Sequence, residues 1–455
     1  MKFSFPALLS TLLIGFLPLL TQAEPALEHT LSNGMKVIVK EDHRAPTVAH
    51  MIWYRIGSTD EVNGTTGVAH ALEHMMFKGT KTLKPGEFSA RVAALGGREN
   101  AFTSKDYTAY FQQIEKSRLE KVMALEADRM ASLVFDKEEF AKEIRVVMEE
   151  RRWRTEDQPI PLLYEALNAA AFSAHPYHHP VVGWMSDLQN MTVEDAKVWH
   201  DRWYAPNNAI MVVSGDVNAR AVFALAEKHF GRIQAKKLPR TKPQEEPPQK
   251  GLRRIVVKAP AENPYVALAF KAPTLRDVEK DVDPYALEVL SAVLDGYDNA
   301  RLNAKLVRTD RVANSAGASY SNVARGPVLF VLDGVPAQGT TTDQLEKLLR
   351  AEVERVAKEG VSEEELKRVK AQLVAGQVYK RDSIFGQAME IGMMEASGLS
   401  HRDIDRTIDK LKTVTAQQVQ DVARRYFSDD TLTVATLVPL PLSEKKAPPP
   451  SGLRH

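Results

Sequence analysis

Two short apolar runs flank Asn33-Gly34 between Thr30 and Val39. The Asn-Gly pair supplies the positive φ angles of a tight turn, so this stretch predicts a strand–turn–strand start. The apolar run at 48–56 reads as another strand. At 67–77 the period becomes helical: Val68, Leu72, Met75 and Met76 form one stripe, Thr65 or Thr66 is placed as cap, and Gly79 follows the end. Further helices are predicted at 85–95, 114–132 and 137–153, and a strand at 209–214 that ends in Gly215-Asp216.

The pattern breaks at 236–250, where four prolines and many charges leave few apolar residues, as in a solvated, extended linker. Beyond it, 255–257 and 266–270 read as strands, 283–295 and 343–359 as helices, and 443–455 with Pro448-Pro449-Pro450 as a disordered tail. The two sides of the linker echo one another. Residues 192–204 and 415–426 are each a Thr-started amphipathic helix with an aromatic end, followed by a turn and a strand, at 209–214 and 431–437. The separation is too large for a solenoid repeat, which points to two similarly built α/β units on either side of the prolines.

Composition narrows the class. An apolar share of 44% and a charged share of 26% are those of an ordinary soluble globular chain, and 455 residues suffice for two large cores. A formal net charge of +1 without long runs of one sign argues against nucleic-acid binding. Cysteine is absent, which excludes disulfides, thiolate nucleophiles and cysteine-held metals. Lys2, the apolar stretch 3–20 and Thr21-Gln22-Ala23 have the order of an export signal, with cleavage expected after Ala23. No later stretch is long and apolar enough to span a bilayer, so the expectation is a periplasmic or secreted protein without a stable membrane anchor.

The chemistry concentrates in His70-Ala71-Leu72-Glu73-His74. On a helix, residues four apart differ by about 40° around the axis, so both imidazoles can reach one cation. Glu73 lies about 60° to the other side of His70, beside that cation, placed to hold a water. The apolar stripe clusters on the face opposite His70 and Glu73, so the histidines do not simply share the aliphatic core. A third ligand is expected from 142–151, where Glu143 and Glu150 share a helix face: one can bind the metal while the other orients a ligand.

These residues resemble the pitrilysin/insulinase (inverzincin) family of zinc metallopeptidases, closest to the short bacterial zinc peptidases and mitochondrial processing peptidase. The likeness runs from about 27 to 437 through Gly67–Thr80, Gly96-Gly97-Arg98-Glu99-Asn100-Ala101-Phe102-Thr103, His175-Pro176-Tyr177, Gly183-Trp184 and 204–209. The resemblance implies an α+β fold of two homologous domains, each a mostly antiparallel sheet packed with helices, facing across a peptide-binding chamber. The export signal, the proline-rich stretch and the duplicated units divide the chain into a signal peptide (1–23), a zinc-bearing domain (24–235), the linker (236–250), a second domain (251–440) and a tail (441–455). The resemblance places the zinc in the first domain. It further implies one zinc held by His70, His74 and Glu150, with Glu150 chosen over Glu149. Glu143 would support from behind and Glu73 would be the general base of peptide hydrolysis. Asn100 and Ala101 would lie on an edge strand that binds extended peptides through its backbone.

The second half departs from the family pattern. Arg308 matches the position of a substrate-holding arginine, but Asn314 stands where a tyrosine is expected, and Tyr320 is too far along to replace it. Some two-chain relatives divide the work between a zinc-bearing subunit and a zinc-less homologue that supplies the arginine–tyrosine pair. This chain is therefore expected to be the zinc-bearing member of a heterodimer. A zinc amidase acting on cell-wall peptides and a largely structural assembly subunit are the competing readings. His175, His178 and His179 read as a proline-interrupted loop rather than a second metal site. Trp199, Trp203 and Tyr204 read as packing residues, and the cations at 151–154 as solvated helix-end charges.

Overall fold

The computed structural model describes residues 25–442; the expected signal peptide and the 443–455 tail lie outside the described residues. The first half runs β1 (Leu27–Thr30), β2 (Lys36–Glu41), β3 (Thr47–Tyr54), α1 (Val68–Met75), α2 (Glu87–Ala94), β4 (Arg98–Thr103), β5 (Thr108–Glu115), α3 (Leu119–Ser132), α4 (Lys137–Arg151), α5 (Pro159–Ala171), α6 (Met185–Asn190), α7 (Val193–Trp203), β6 (Ala209–Gly215) and α8 (Ala219–Phe230). The second runs β7 (Arg253–Pro260), β8 (Tyr265–Ala272), α9 (Asp283–Asp295), β9 (Ala313–Ser319), β10 (Val328–Pro336), α10 (Thr342–Glu359), α11 (Glu363–Lys380), α12 (Ile384–Ala396), α13 (Ile404–Thr413), α14 (Ala416–Arg425) and β11 (Leu432–Leu440). Single π-helical turns occupy Arg152–Glu156 and Asn303–Thr309.

The duplication is visible in the strand order. The first sheet is β1-β2-β6-β3-β5-β4 and the second β7-β11-β8-β10-β9. Apart from β1, the two orders correspond strand for strand. β6 and β11, the strands that end the echoed segments, each lie parallel to the first strand of their set and antiparallel to the next. Thr192 and Thr415 both form capping boxes on the helices leading to them. The helix expected at 114–132 begins only at Leu119, because Ile114 still pairs with Val48 across β3 and β5.

β6 is buried along its whole length, and its two faces have different owners. Met211 and Val213 join the core formed with the first half's own helices, including α1, α3 and α8. Ile210 and Val212, with Met51 and Trp53 from β3, pack instead against Ala388, Ile391 and Ala396 of α12, a helix of the second half. The second sheet mirrors this. Val266, Leu268 and Phe270 face its own helices, whereas Ala267, Ala269, Ala435 and Leu437 are covered by Leu163 and Leu167 of α5. Each half thus lends one helix to roof the other's sheet. The fit is close at Gly392, where a Cβ would stand 2.0 Å from Trp53 Cε2.

Most of 236–250 is exposed and extended, as its composition suggests, but it is anchored at one point. Glu246 is half-buried, and its carboxylate accepts from the amides of Ser173, Ala174 and His175 at 2.9–3.0 Å and from Lys271 Nζ at 2.7 Å. One side chain therefore ties the linker to both halves. Burial acts to raise this carboxyl, but the amides and Lys271 outweigh it and hold the pKa at about 2.

Two outcomes are expected from this packing. Gly392→Ala should destabilise the protein by about 1–3 kcal/mol in urea denaturation, as overpacking does; unchanged stability would contradict the contact with Trp53. A carboxyl whose folded pKa is depressed stabilises above its unfolded value of about 4.3 and loses that contribution as pH falls toward the folded value. The stability gap between wild type and Glu246→Gln should therefore be full at pH 7 and close as pH is lowered from about 4.5 to about 2.

Candidate metal centre

α1 is buried on every side: Leu72 and Met75 are inaccessible, and His70, Glu73 and His74 are only 9%, 4% and 2% exposed. A short helix that carries ionisable groups inward needs its ends satisfied by other means than water. The expected threonine cap is not used. Thr66 Oγ1 instead donates to Asp187 at 2.6 Å and accepts from the Trp184 amide at 2.9 Å. The helix starts at Gly67 with φ +87°, and the buried Glu61 carboxylate takes the Gly67 and Ala69 amides at 2.8 Å each. Gly67 also abuts Gly183, where a Cβ on Gly67 would meet the Val182 carbonyl oxygen at 2.5 Å. The Gly183-Trp184 segment is thereby pressed against the start of the helix.

The third donor, a carboxylate, arrives from α4, whose start is fixed by Asp136 accepting the amides of Glu138 and Glu139. Glu150 Oε2 stands 3.4 Å from His74 Nε2 and 3.7 Å from His70 Nε2, and one donor atom from each of the three residues falls within a 4.8 Å group. Those spacings exceed the roughly 2.7–2.9 Å of a charged N–H···O bond. They approach the separation of about 3.3 Å that bonds of about 2.0–2.1 Å impose on neighbouring corners of a tetrahedron. Two imidazoles and a carboxylate are also a donor set that zinc accepts. The residues present fit that ion.

The surroundings favour a cation. Glu143 Oε2 lies 3.3 Å from His74 Nδ1, and its other oxygen accepts from Lys78 Nζ at 2.7 Å. Glu150 Oε1 meets Arg154, on the π-helical turn after α4, at 2.5 Å. Burial alone acts to lower the pKa of His74, but Glu143 and Glu150 outweigh it and hold the imidazole up at about 9. For Glu150, burial acts upward and the hydrogen bond from His74, followed by His70 and Arg154, brings it down to about 2. Glu73 behaves differently: burial pushes it up to about 7, opposed by the hydroxyl of Thr103, which donates to its Oε2. The carboxyls of Glu73 and Glu150 are thus driven in opposite directions, one held near neutrality and the other kept charged.

His70, Glu73, Glu150 and Arg154 open into a cleft of about 540 Å³ that, among the described residues, is lined from His70 to Val182. Asn100 and Ala101 line it from β4, an edge strand of the first sheet. Arg308 does not line it: it is exposed on the second half's π-helical turn, while Asn314 donates to the Pro336 carbonyl at 3.4 Å and Tyr320 to that of Pro273 at 2.5 Å. His178 and His179 reach the cleft wall, where His179 Nε2 is 2.9 Å from Asn63 Oδ1. Trp199, Trp203 and Tyr204 are core residues. Arg151 is no solvated end charge: it is 4% exposed and grips Glu165 through two bonds of 2.8 Å, with a third to the Gly183 carbonyl at 2.9 Å. Three contributors escaped the sequence reading. Thr103 lay inside a quoted motif without a role; Arg154 gave only a charge signal, and Glu61 no signal at all.

Known proteins resemble this chain in sequence and in fold. The model for the insulinase (peptidase family M16) domain matches residues 36–183, and that for the peptidase M16 inactive domain matches 190–373. The zinc protease PqqE of Helicobacter pylori is 36% identical over 419 residues, covering 90% of this chain and 92% of that protein. The uncharacterized zinc protease YmxG of Bacillus subtilis is 26% identical over 402 residues, covering 88% and 96%. A crystal structure of a protease from Helicobacter pylori has a TM-score of 0.86 at 33% identity, covering 91% of this chain and 99% of that one. The periplasmic protease PqqL from Escherichia coli shares the fold at a TM-score of 0.78 and 20% identity, with 92% of this chain matching 48% of that one. The chain belongs to the insulinase (M16) family of zinc peptidases.

Removing the Glu61 carboxylate leaves two buried amides without their acceptor, a loss of about 1–3 kcal/mol. Glu61→Ala should therefore lower stability by that amount and weaken zinc uptake, although Glu61 is not among the ligands. Equal stability and equal metal content, measured by denaturation and elemental analysis, would remove Glu61 from the account.

Proposed function

We propose that the chain is an exported, zinc-dependent endopeptidase that hydrolyses extended peptides, with Glu73 as general base. The observation that carries this reading is the meeting of His70, His74 and Glu150 donor atoms within 4.8 Å, beside Glu73, in a cleft bounded by an edge strand. One zinc per chain is held by those three residues, and the chemistry it supplies when bound is acidification of a water toward a pKa of about 7 and polarisation of a carbonyl. Glu143 orients His74 from behind by accepting its Nδ1–H, while Arg154 steadies the second oxygen of Glu150. Glu73 accepts the proton of the attacking water and passes it to the departing amine, and the Thr103 hydroxyl fixes the carboxylate that does so. The open backbone of β4 at Asn100 and Ala101 receives the substrate as an added strand.

The two units meet at the 236–250 linker, and 1–23 directs export to the periplasm. Among the described residues, the cleft takes its lining from positions 70–182. This supports a heterodimer in which a homologous zinc-less chain supplies the remaining substrate-holding groups, with Arg308 contacting substrate outside the cleft from its exposed position.

Glu73→Gln should keep zinc and lose about 10²–10⁴-fold in peptide hydrolysis, the usual worth of a positioned base. His70→Ala and Glu150→Ala should lose the metal itself. Elemental analysis alongside cleavage of unstructured peptides and of murein fragments, with and without chelator, checks all of this. Full cleavage by Glu73→Gln would refute the base, and cleavage of murein fragments alone would move the enzyme to the amidases.

A further inference from the structure

Of the lysine and arginine side chains that line the cleft, Lys105 is the one with no carboxylate at ion-pair distance among the described residues. Arg154 is matched by Glu150 and Glu165 by Arg151. Lys105 lines the same cleft two residues past Thr103, but its ammonium meets only neutral dipoles: Asn168 Oδ1 at 3.2 Å and the Tyr177 carbonyl at 3.1 Å, with the Tyr177 ring centroid at 4.9 Å. Among the described residues no carboxylate lies within 4.0 Å of it. Its sequence neighbour Asp106 is engaged elsewhere, accepting from Tyr177 Oη at 2.7 Å and from the Arg325 amide at 2.9 Å. Burial accordingly holds Lys105 down at about 8.

Enclosing an ammonium with no carboxylate in contact is costly; the attraction of Asp106 offsets burial only in part, and a ligand that brings a negative charge relieves the rest. Two of the three N–H groups have acceptors, and the third is left for the cleft. The place matters too. Thr103 bonds Glu73, so a peptide lying along β4 that presents its scissile bond to Glu73 continues toward Lys105 and the α5 wall. Building on the peptidase reading, we infer that Lys105 is the specificity-determining contact of a carboxylate subsite. The peptide would place there either an Asp or Glu side chain next to the scissile bond or its own C-terminus.

The test uses zinc-loaded Glu73→Gln protein and fluorescent peptides of one length, with binding read by anisotropy. One series carries Glu at successive positions with an amidated C-terminus, a second carries Gln with a free C-terminus, and two controls carry Gln or Lys with the end amidated. Whichever carboxylate source the subsite takes should bind about tenfold tighter than the neutral control, as one charge-assisted hydrogen bond permits. Adding Lys105→Glu should invert the preference toward the Lys peptide, and Lys105→Arg should keep the preference for acid. Equal affinity for charged and neutral peptides would overturn the proposal without requiring any Lys105 variant to fold. A Lys105→Glu protein that weakens every peptide equally, with the acid preference intact, would overturn it as well, as would failure to bind any peptide. Cleavage by the wild-type enzyme separates the two readings. Peptides cut without charge preference sink the subsite alone. Peptides bound with charge preference but never cut sustain the Lys105 contact and sink the hydrolase.

Discussion

Three groups that would each prefer full hydration are brought together with little access to water, and the first half of the molecule is arranged around keeping them there. His70 and His74 come from one short helix and Glu150 from the end of another, so their meeting depends on how α1 and α4 are held rather than on either helix alone. Glu61 fixes the start of α1, the Gly67–Gly183 contact fixes what lies against it, and Arg151 clamps α4 to both Glu165 and the Gly183 carbonyl. A displacement at any of these points would reach the donor atoms, since a metal site tolerates only a few tenths of an ångström in its bond lengths.

Charge is distributed in the same economical way. The carboxylates outnumber the cations immediately around His74, which makes the pocket a place for positive charge. Glu73 is excluded from that pairing: its partner is the Thr103 hydroxyl, which orients without neutralising. Two glutamates close together can therefore take opposite tasks, one as a fixed anion and one as a group able to take up and give back a proton.

Much of this was legible in the chain. The spacing of His70, Glu73 and His74 is a local property, and the helical period alone brings the imidazoles to one side. Resemblance then selected Glu150 from a run that periodicity left open between two glutamates. The duplicated helix–turn–strand units announced two sheets, whose matching strand orders are long-range facts that no local pattern contains. What stayed hidden was of two kinds. Glu61 and Glu246 act on backbone amides remote from or only loosely linked to them in sequence, so nothing in their neighbourhood marks them. The partners of α5 and α12 were hidden because an apolar helical stripe says that a face is covered but not by what. Arg151 was misread because a cation at a helix end is ordinarily solvated, and only the π-helical turn that follows and the approach of α5 enclose it.

The exchange of α5 and α12 has a consequence for how the protein comes into being. When the first sheet is complete at Gly215, the outer face bearing Trp53, Ile210 and Val212 still lacks its cover, which is not made until Ala396 has been polymerised. A nascent chain must therefore carry a bare aliphatic surface through the synthesis of some 180 further residues, a long exposure of the kind that invites chaperones and aggregation. Once both roofs are on, neither half can shed its own without uncovering the other, so the finished molecule should melt as one body although it was built as two.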